Sequence, residues 1–128
     1  MDSFTDLEAW KKGMELVKEI YSLSQSFPKS EQFGITSQIR RSSTGILANI
    51  AEGFSRSGSA DKAYKYTIAR GENSETCAFL HIVIELEYIT VDHATKAFEL
   101  SSHVGRLLSG LIQTYSKLPN PNPSPNPS

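Results

Sequence analysis

Apolar residues recur at three- and four-residue steps along four successive segments, with proline or glycine in the first two of the gaps between them. That period belongs to helices with one buried face. In the first segment Leu7, Trp10, Met14, Val17 and Tyr21 form one stripe, and Leu16, Ile20 and Leu23 an adjoining one. Thr5 or Asp6 suits its N-cap, and Phe27 before Pro28 ends it, because a residue before proline is pushed out of the helical region. The second segment runs from about Glu31 to about Phe54, with Ile35, Ile39, Ile46 and Ile50 on one stripe. Gly58 breaks the chain and Ser59 can cap the next helix. The third runs from about Ala60 to about Tyr88, and the fourth from about Asp92 to about Lys117, with Ala97, Val104, Leu108, Leu111, Tyr115 and Leu118 at heptad-like spacing. Four helices with short connections predict an all-α, up-down-up-down four-helix bundle over residues 1–118. The β-branched run "HIVIELEYITV", residues 81–91, also suits a strand, but a lone strand has no partner here, so it is read as helix to about Tyr88.

Residues 119–128, "PNPNPSPNPS", read as a disordered or polyproline-like tail. Cys77 is the only cysteine, so neither an intramolecular disulfide nor a thiolate metal site can form. No apolar run reaches the roughly 18 residues of a membrane span, and the first residues lack an apolar signal core, which makes the cytoplasm the expected compartment. Net charge is −1 but unevenly placed: residues 38–70 hold six basic side chains against Glu52 and Asp61. Such a segment suits either an anion-facing surface or one of two oppositely charged faces that meet in an assembly.

The third helix is apolar on two sides. Tyr64, Ile68, Gly71, Ala78, Ile82 and Leu86 share one arc, expected to face the bundle core. Tyr66, Ala69, Asn73, Cys77, Leu80 and Ile84 share the opposite arc, uncharged from Asn73 to Ile84, and are expected to meet another subunit. Glu75 falls near the centre of the expected core arc, where a charge needs a partner. In an antiparallel hairpin turning near Ser57 and Gly58, positions whose numbers total about 116 lie opposite one another. Glu75 is therefore expected to pair with Arg41, or failing that Arg40, as a structural ion pair. Losing one member of such a buried pair costs about 3–5 kcal/mol. A catalytic role for Glu75 is the alternative reading. Beside the isoleucines of the second helix, Gln38, Ser42, Asn49 and Arg56 form a second stripe, whose small members let another helix approach closely and whose Asn49 can hydrogen-bond a neighbouring backbone.

The segments "LEAWKKGMELVKEIY", "FPKSEQFGITSQIRRSSTGILANIAEGFSR" and "IARGENSE" together resemble the 23S rRNA-intervening-sequence protein family over roughly residues 4–116. The family pattern falls on Gln38, Arg41, Asn49, Glu52, Gly53, Arg56, Ala69, Arg70, Gly71 and Glu75. Gly45 and Leu47 depart from the family's small polar residue and proline, and "GENSE" replaces a more helix-favouring run. The resemblance implies a cytoplasmic bacterial homopentamer of four-helix bundles with no known enzymatic activity. It also implies, from similar proteins that accompany diversity-generating retroelements, RNA or DNA and a reverse transcriptase as partners.

Three function classes are compatible with these features. One is a nucleic-acid adaptor using Arg56, Lys62 and Lys65, which lie at or just after the turn between the second and third helices and would repeat around an oligomer. A second is a protein–protein scaffold. The third, an enzyme, has little support: His81, His93 and His103 are widely spaced, and no metal-binding, nucleophile or phosphate-loop motif accompanies them. No cofactor is expected. Whether the basic side chains converge in the open or are taken up in ion pairs separates the first class from the second.

Overall fold

The computed structural model describes residues 2–118; the Pro/Asn/Ser tail of residues 119–128 lies outside the described residues. Four helices follow in order: α1 Glu8–Ser24, α2 Ile35–Ser55, α3 Ser59–Glu85 and α4 Val91–Lys117. No strand occurs among the described residues. Each helix packs on its neighbours in the chain, and α1 closes the square against α4, which makes an up-down-up-down bundle. Leu16 and Ile20 of α1, Ile39, Ile46 and Ile50 of α2, Tyr66, Leu80 and Val83 of α3, and Val104 and Leu108 of α4 are fully or almost fully buried in the centre.

The ends of the helices differ from the sequence expectation for local reasons. Neither Thr5 nor Asp6 caps α1: they sit in a short 3-10 turn, Phe4–Asp6, whose own cap is the Ser3 hydroxyl accepting from the Thr5 N–H. Residues Lys29–Glu31 form a second 3-10 turn rather than the first turn of α2. At the far end of α3 the chain leaves the helix at Glu85, short of Tyr88. The Tyr88 N–H returns to the Val83 carbonyl and the Glu87 N–H to the Ile84 carbonyl, both at 2.9 Å, with Glu87 at φ 63°. This is a Schellman stop with glutamate at the left-handed position usually given to glycine. The Tyr88 hydroxyl donates to Glu31 at 2.7 Å, joining the two loops at that end of the bundle.

The two arcs of α3 are the reverse of the expectation. Tyr66, Ala69, Asn73 and Leu80 are buried in the chain's own core, so they are not an intersubunit surface. Cys77 and Ile84 are half-buried at the edge of that face. Tyr64, Ile82 and Leu86 point outward instead, at 63%, 43% and 49% exposure. The reason is polar pairing across the bundle. Asn73 donates to the Ser101 carbonyl at 2.9 Å and accepts from the Ser101 hydroxyl at 3.0 Å. The Thr76 and Ser42 hydroxyls share a hydrogen bond of 2.8 Å. With partners supplied by α4 and α2, these polar residues cost little to bury, and they fix which side of α3 turns inward.

Candidate functional site

The α2–α3 contact takes its shape from small residues on α2. A methyl group at Gly53 would lie 2.6 Å from the Tyr66 ring, and one at Gly45 would lie 2.8 Å from a Glu72 carboxylate oxygen. Ser42 is fully buried beside Thr76. The stripe of small residues on α2 therefore admits α3 of the same chain. Asn49 on that stripe bonds back to the Gly45 carbonyl of its own helix at 2.8 Å, not to a neighbouring helix.

Next to this seam Arg41 bridges two carboxylates of α3, donating to Glu75 at 2.5 Å and Glu72 at 3.2 Å. Its Nε is 3.4 Å from the Gln38 amide oxygen. The pair forms where the hairpin register puts it, but not in the core: the Arg41 and Glu75 side chains are 49% and 37% exposed. The hydrogen bond it donates to Glu75, with the charge of Glu72 beside it, raises the guanidinium pKa further. At that exposure the pair contributes roughly 1 kcal/mol or less, not the figure for a buried one. Glu72 belongs to the network but gave no signal in the sequence, because its role depends on the room left by Gly45.

The basic residues near the α2–α3 turn do not converge as a free cluster. Lys62 donates to the last carbonyls of α2, Gly53 at 3.2 Å and Phe54 at 2.7 Å, and burial lowers its pKa. It acts as a C-terminal cap for α2. Lys65 pairs with Glu52 at 2.8 Å, and that hydrogen bond holds the Glu52 carboxyl below its ordinary range. Arg40 lies 4.6 Å from the centre of the Tyr21 ring and donates to Ser24 at 2.8 Å. Arg56 alone of the three expected phosphate contacts is exposed and makes no side-chain hydrogen bond among the described residues.

Two other guanidiniums do share an open groove, between α3 and α4. Arg70 donates to Ser109 of α4 at 3.4 Å, and Arg106 donates to Ser102 one turn back on its own helix at 2.8 Å. Both line a groove of about 570 Å³ together with Asn73, Ser74, Gly105 and Gln113. In the sequence Arg70 is marked by the family pattern and as the last of the six basic side chains of residues 38–70, and Arg106, Ser102 and Ser109 carry no signal. Their meeting depends on the α3–α4 register, which the sequence alone does not supply. Among the described residues no His, Cys, Asp and Glu side chains gather in a group able to hold a metal. The His81 and Phe98 rings pack at a tilt, with their centres 4.8 Å apart. No helix among the described residues is long and apolar enough to cross a membrane.

An antiparallel helical square with a charged seam along α2 and α3 defines a four-helix bundle whose charged side chains lie on its helix faces rather than in its centre. The 23S rRNA-intervening sequence protein family model matches residues 5–110, and the chain belongs to that family. Among solved structures it is similar to a protein of unknown function from the S23 ribosomal protein family of Bacteroides thetaiotaomicron, at 31% identity and a TM-score of 0.75, over 82% of this chain and 98% of that one. A comparison with curated proteins found no match.

Proposed function

We propose that the protein is a non-enzymatic assembly module that associates with copies of itself through the outer arc of α3. The observation that carries this reading is the arc itself. Tyr64, Ile82 and Leu86 are exposed on one side of a helix whose other side already fills the core. Ala78 is exposed between them, and nothing lies within 4 Å of a methyl group built at Gly71. A glycine inside a helix costs about 1 kcal/mol relative to alanine, and no packing within the chain calls for one at this position. Room at Gly71 lets a second helix come close, as small residues do wherever helices pack tightly. Five copies is the number the family resemblance suggests.

The alternative, a nucleic-acid adaptor working through Arg56, Lys62 and Lys65, loses support because Lys62 and Lys65 are engaged within the chain. Light scattering on the purified protein tests the assembly reading. A mass several times that of one chain is expected, and I82K/L86K should lower it to the mass of one chain while helical circular dichroism is kept. A single-chain mass for the wild type at micromolar concentration would overturn it.

A further inference from the structure

We propose that the groove between α3 and α4 is a phosphate-binding site, with Arg70 and Arg106 as its two cationic arms. Neither guanidinium has a carboxylate partner among the described residues, whereas Arg41, Lys11, Lys12, Lys65 and Lys96 all do. Each is steadied instead by a serine hydroxyl, Arg70 by Ser109 and Arg106 by Ser102. A neutral hydroxyl orients the planar fork without cancelling its charge, and most of the N–H donors on each arginine remain available. No acidic side chain lines the groove. Two like charges on one groove, in a chain whose net charge is −1, mark it as a place where an anion is attracted.

The lining favours phosphate over the carboxylates of a partner protein. Beyond the arginines the walls are hydroxyls and amides, from Ser74, Ser109, Asn73 and Gln113, and they carry no aromatic or large aliphatic side chain. A protein partner is usually held by buried aromatic or aliphatic anchors; the Phe98 ring lines an adjoining hollow and not the groove that holds the arginines. A phosphate presents several oxygens at once and suits forked guanidiniums flanked by hydroxyl donors. The floor is also open to close approach. Gly105 and Gly110 both line it, and nothing lies within 4 Å of a methyl group built at Gly110. The site thus differs from the rim of Arg56, Lys62 and Lys65, and it does not depend on self-association.

The test uses fluorescence anisotropy of a labelled single-stranded oligonucleotide, with inorganic phosphate and a mononucleotide as competitors, on the full chain. Wild type is expected to bind the strand at ~50 mM salt, where phosphate contacts are strongest. R70Q/R106Q should bind about tenfold or more weakly, since two charge-assisted hydrogen-bonded contacts are lost. Its log–log salt slope should be shallower by roughly 1.4, at about 0.7 per lost contact to a single strand. R56Q, on the rim, is the control and should leave affinity unchanged. Competition by millimolar inorganic phosphate or mononucleotide would identify a site for single phosphates; competition by unlabelled strand alone would identify one for a phosphodiester backbone. Equal binding by wild type and R70Q/R106Q, an equal loss in R56Q, tighter binding of polyglutamate than of the strand, or no binding of strand or phosphate by wild type would each overturn the proposal. Light scattering on the same samples keeps the outcome separate from the assembly reading.

Discussion

Glu87 occupies a backbone position that suits glycine. Its φ of 63° lies in the left-handed region, where the Cβ of an L-residue crowds the neighbouring carbonyl. The Schellman bonds from Tyr88 and Glu87 hold it there, and the Phe27 and Tyr88 rings, 6.0 Å apart between centres, pack beside the turn. Replacing the glutamate with glycine removes the crowding at the cost of a floppier unfolded chain. We expect Glu87→Gly to stabilise the protein by about 1 kcal/mol, read as a higher urea midpoint with an unchanged slope. A lower midpoint would show that the glutamate side chain makes a contact that outweighs its backbone strain. The same residue explains why the end of α3 was hard to place from sequence. The usual stop signal, glycine or asparagine just past the helix, is absent from "HIVIELEYITV", so apolar periodicity carried the expected helix on to Tyr88.

At the scale of elements, the α2–α3 hairpin shows what periodicity resolves and what it leaves open. The stripes of α1, α2 and α4 pointed to their buried faces, because each has one apolar side and one polar side. The apolar residues of α3 lie all round it, so its period defined two arcs without saying which turns inward. The deciding contacts are long-range: Ser42 opposite Thr76 and Ser101 opposite Asn73. The Arg41–Glu75 contact, by contrast, was legible, because an antiparallel register follows from the position of the turn at Gly58 and does not depend on which arc is buried. Gly53 offers a direct test of the seam. A methyl group there would meet the Tyr66 ring at 2.6 Å, and the ring is 1% exposed, with little space to retreat. Gly53→Ala gains helix propensity yet overpacks a full contact, so a net loss of about 1–3 kcal/mol is expected. Thermal melts of that variant check it; Gly110→Ala, with nothing within 4 Å of the added methyl, should instead melt at or above the wild-type temperature.

At the scale of the whole molecule, alkaline pH and protein concentration probe different parts of the same stability. Burial, with Tyr115 beside it, pushes the Tyr66 phenol up to about 12, from about 10 in an unfolded chain. A raised folded pKa means that stability is intact below pH ~10 and is lost as pH climbs through the folded value, because only the unfolded state ionises readily in between. Tyr88 is shifted the same way, chiefly by its hydrogen bond to Glu31. Tyrosinate absorbance should therefore rise in two stages, the later one coinciding with loss of helical circular dichroism. Ionisation of Tyr66 near pH 10, with helicity retained, would show it to be open to solvent. Concentration addresses the outer arc of α3. If copies of the chain bind one another through Tyr64, Ile82 and Leu86, only the folded state contributes to that binding, and mass action raises the melting temperature with protein concentration. A monomer has no such dependence. Wild type should melt at rising temperature across a hundredfold concentration series, whereas I82K/L86K should melt at one temperature throughout, below the wild type. The two side chains are 43% and 49% exposed in the single chain, so charging them disturbs little of its own core. Any fall at low concentration, where the wild type too is dissociated, measures that small disturbance, and the widening gap at high concentration measures the interface. A wild-type melting temperature independent of concentration, together with a single-chain mass, would place the apolar arc of α3 outside any contact between copies.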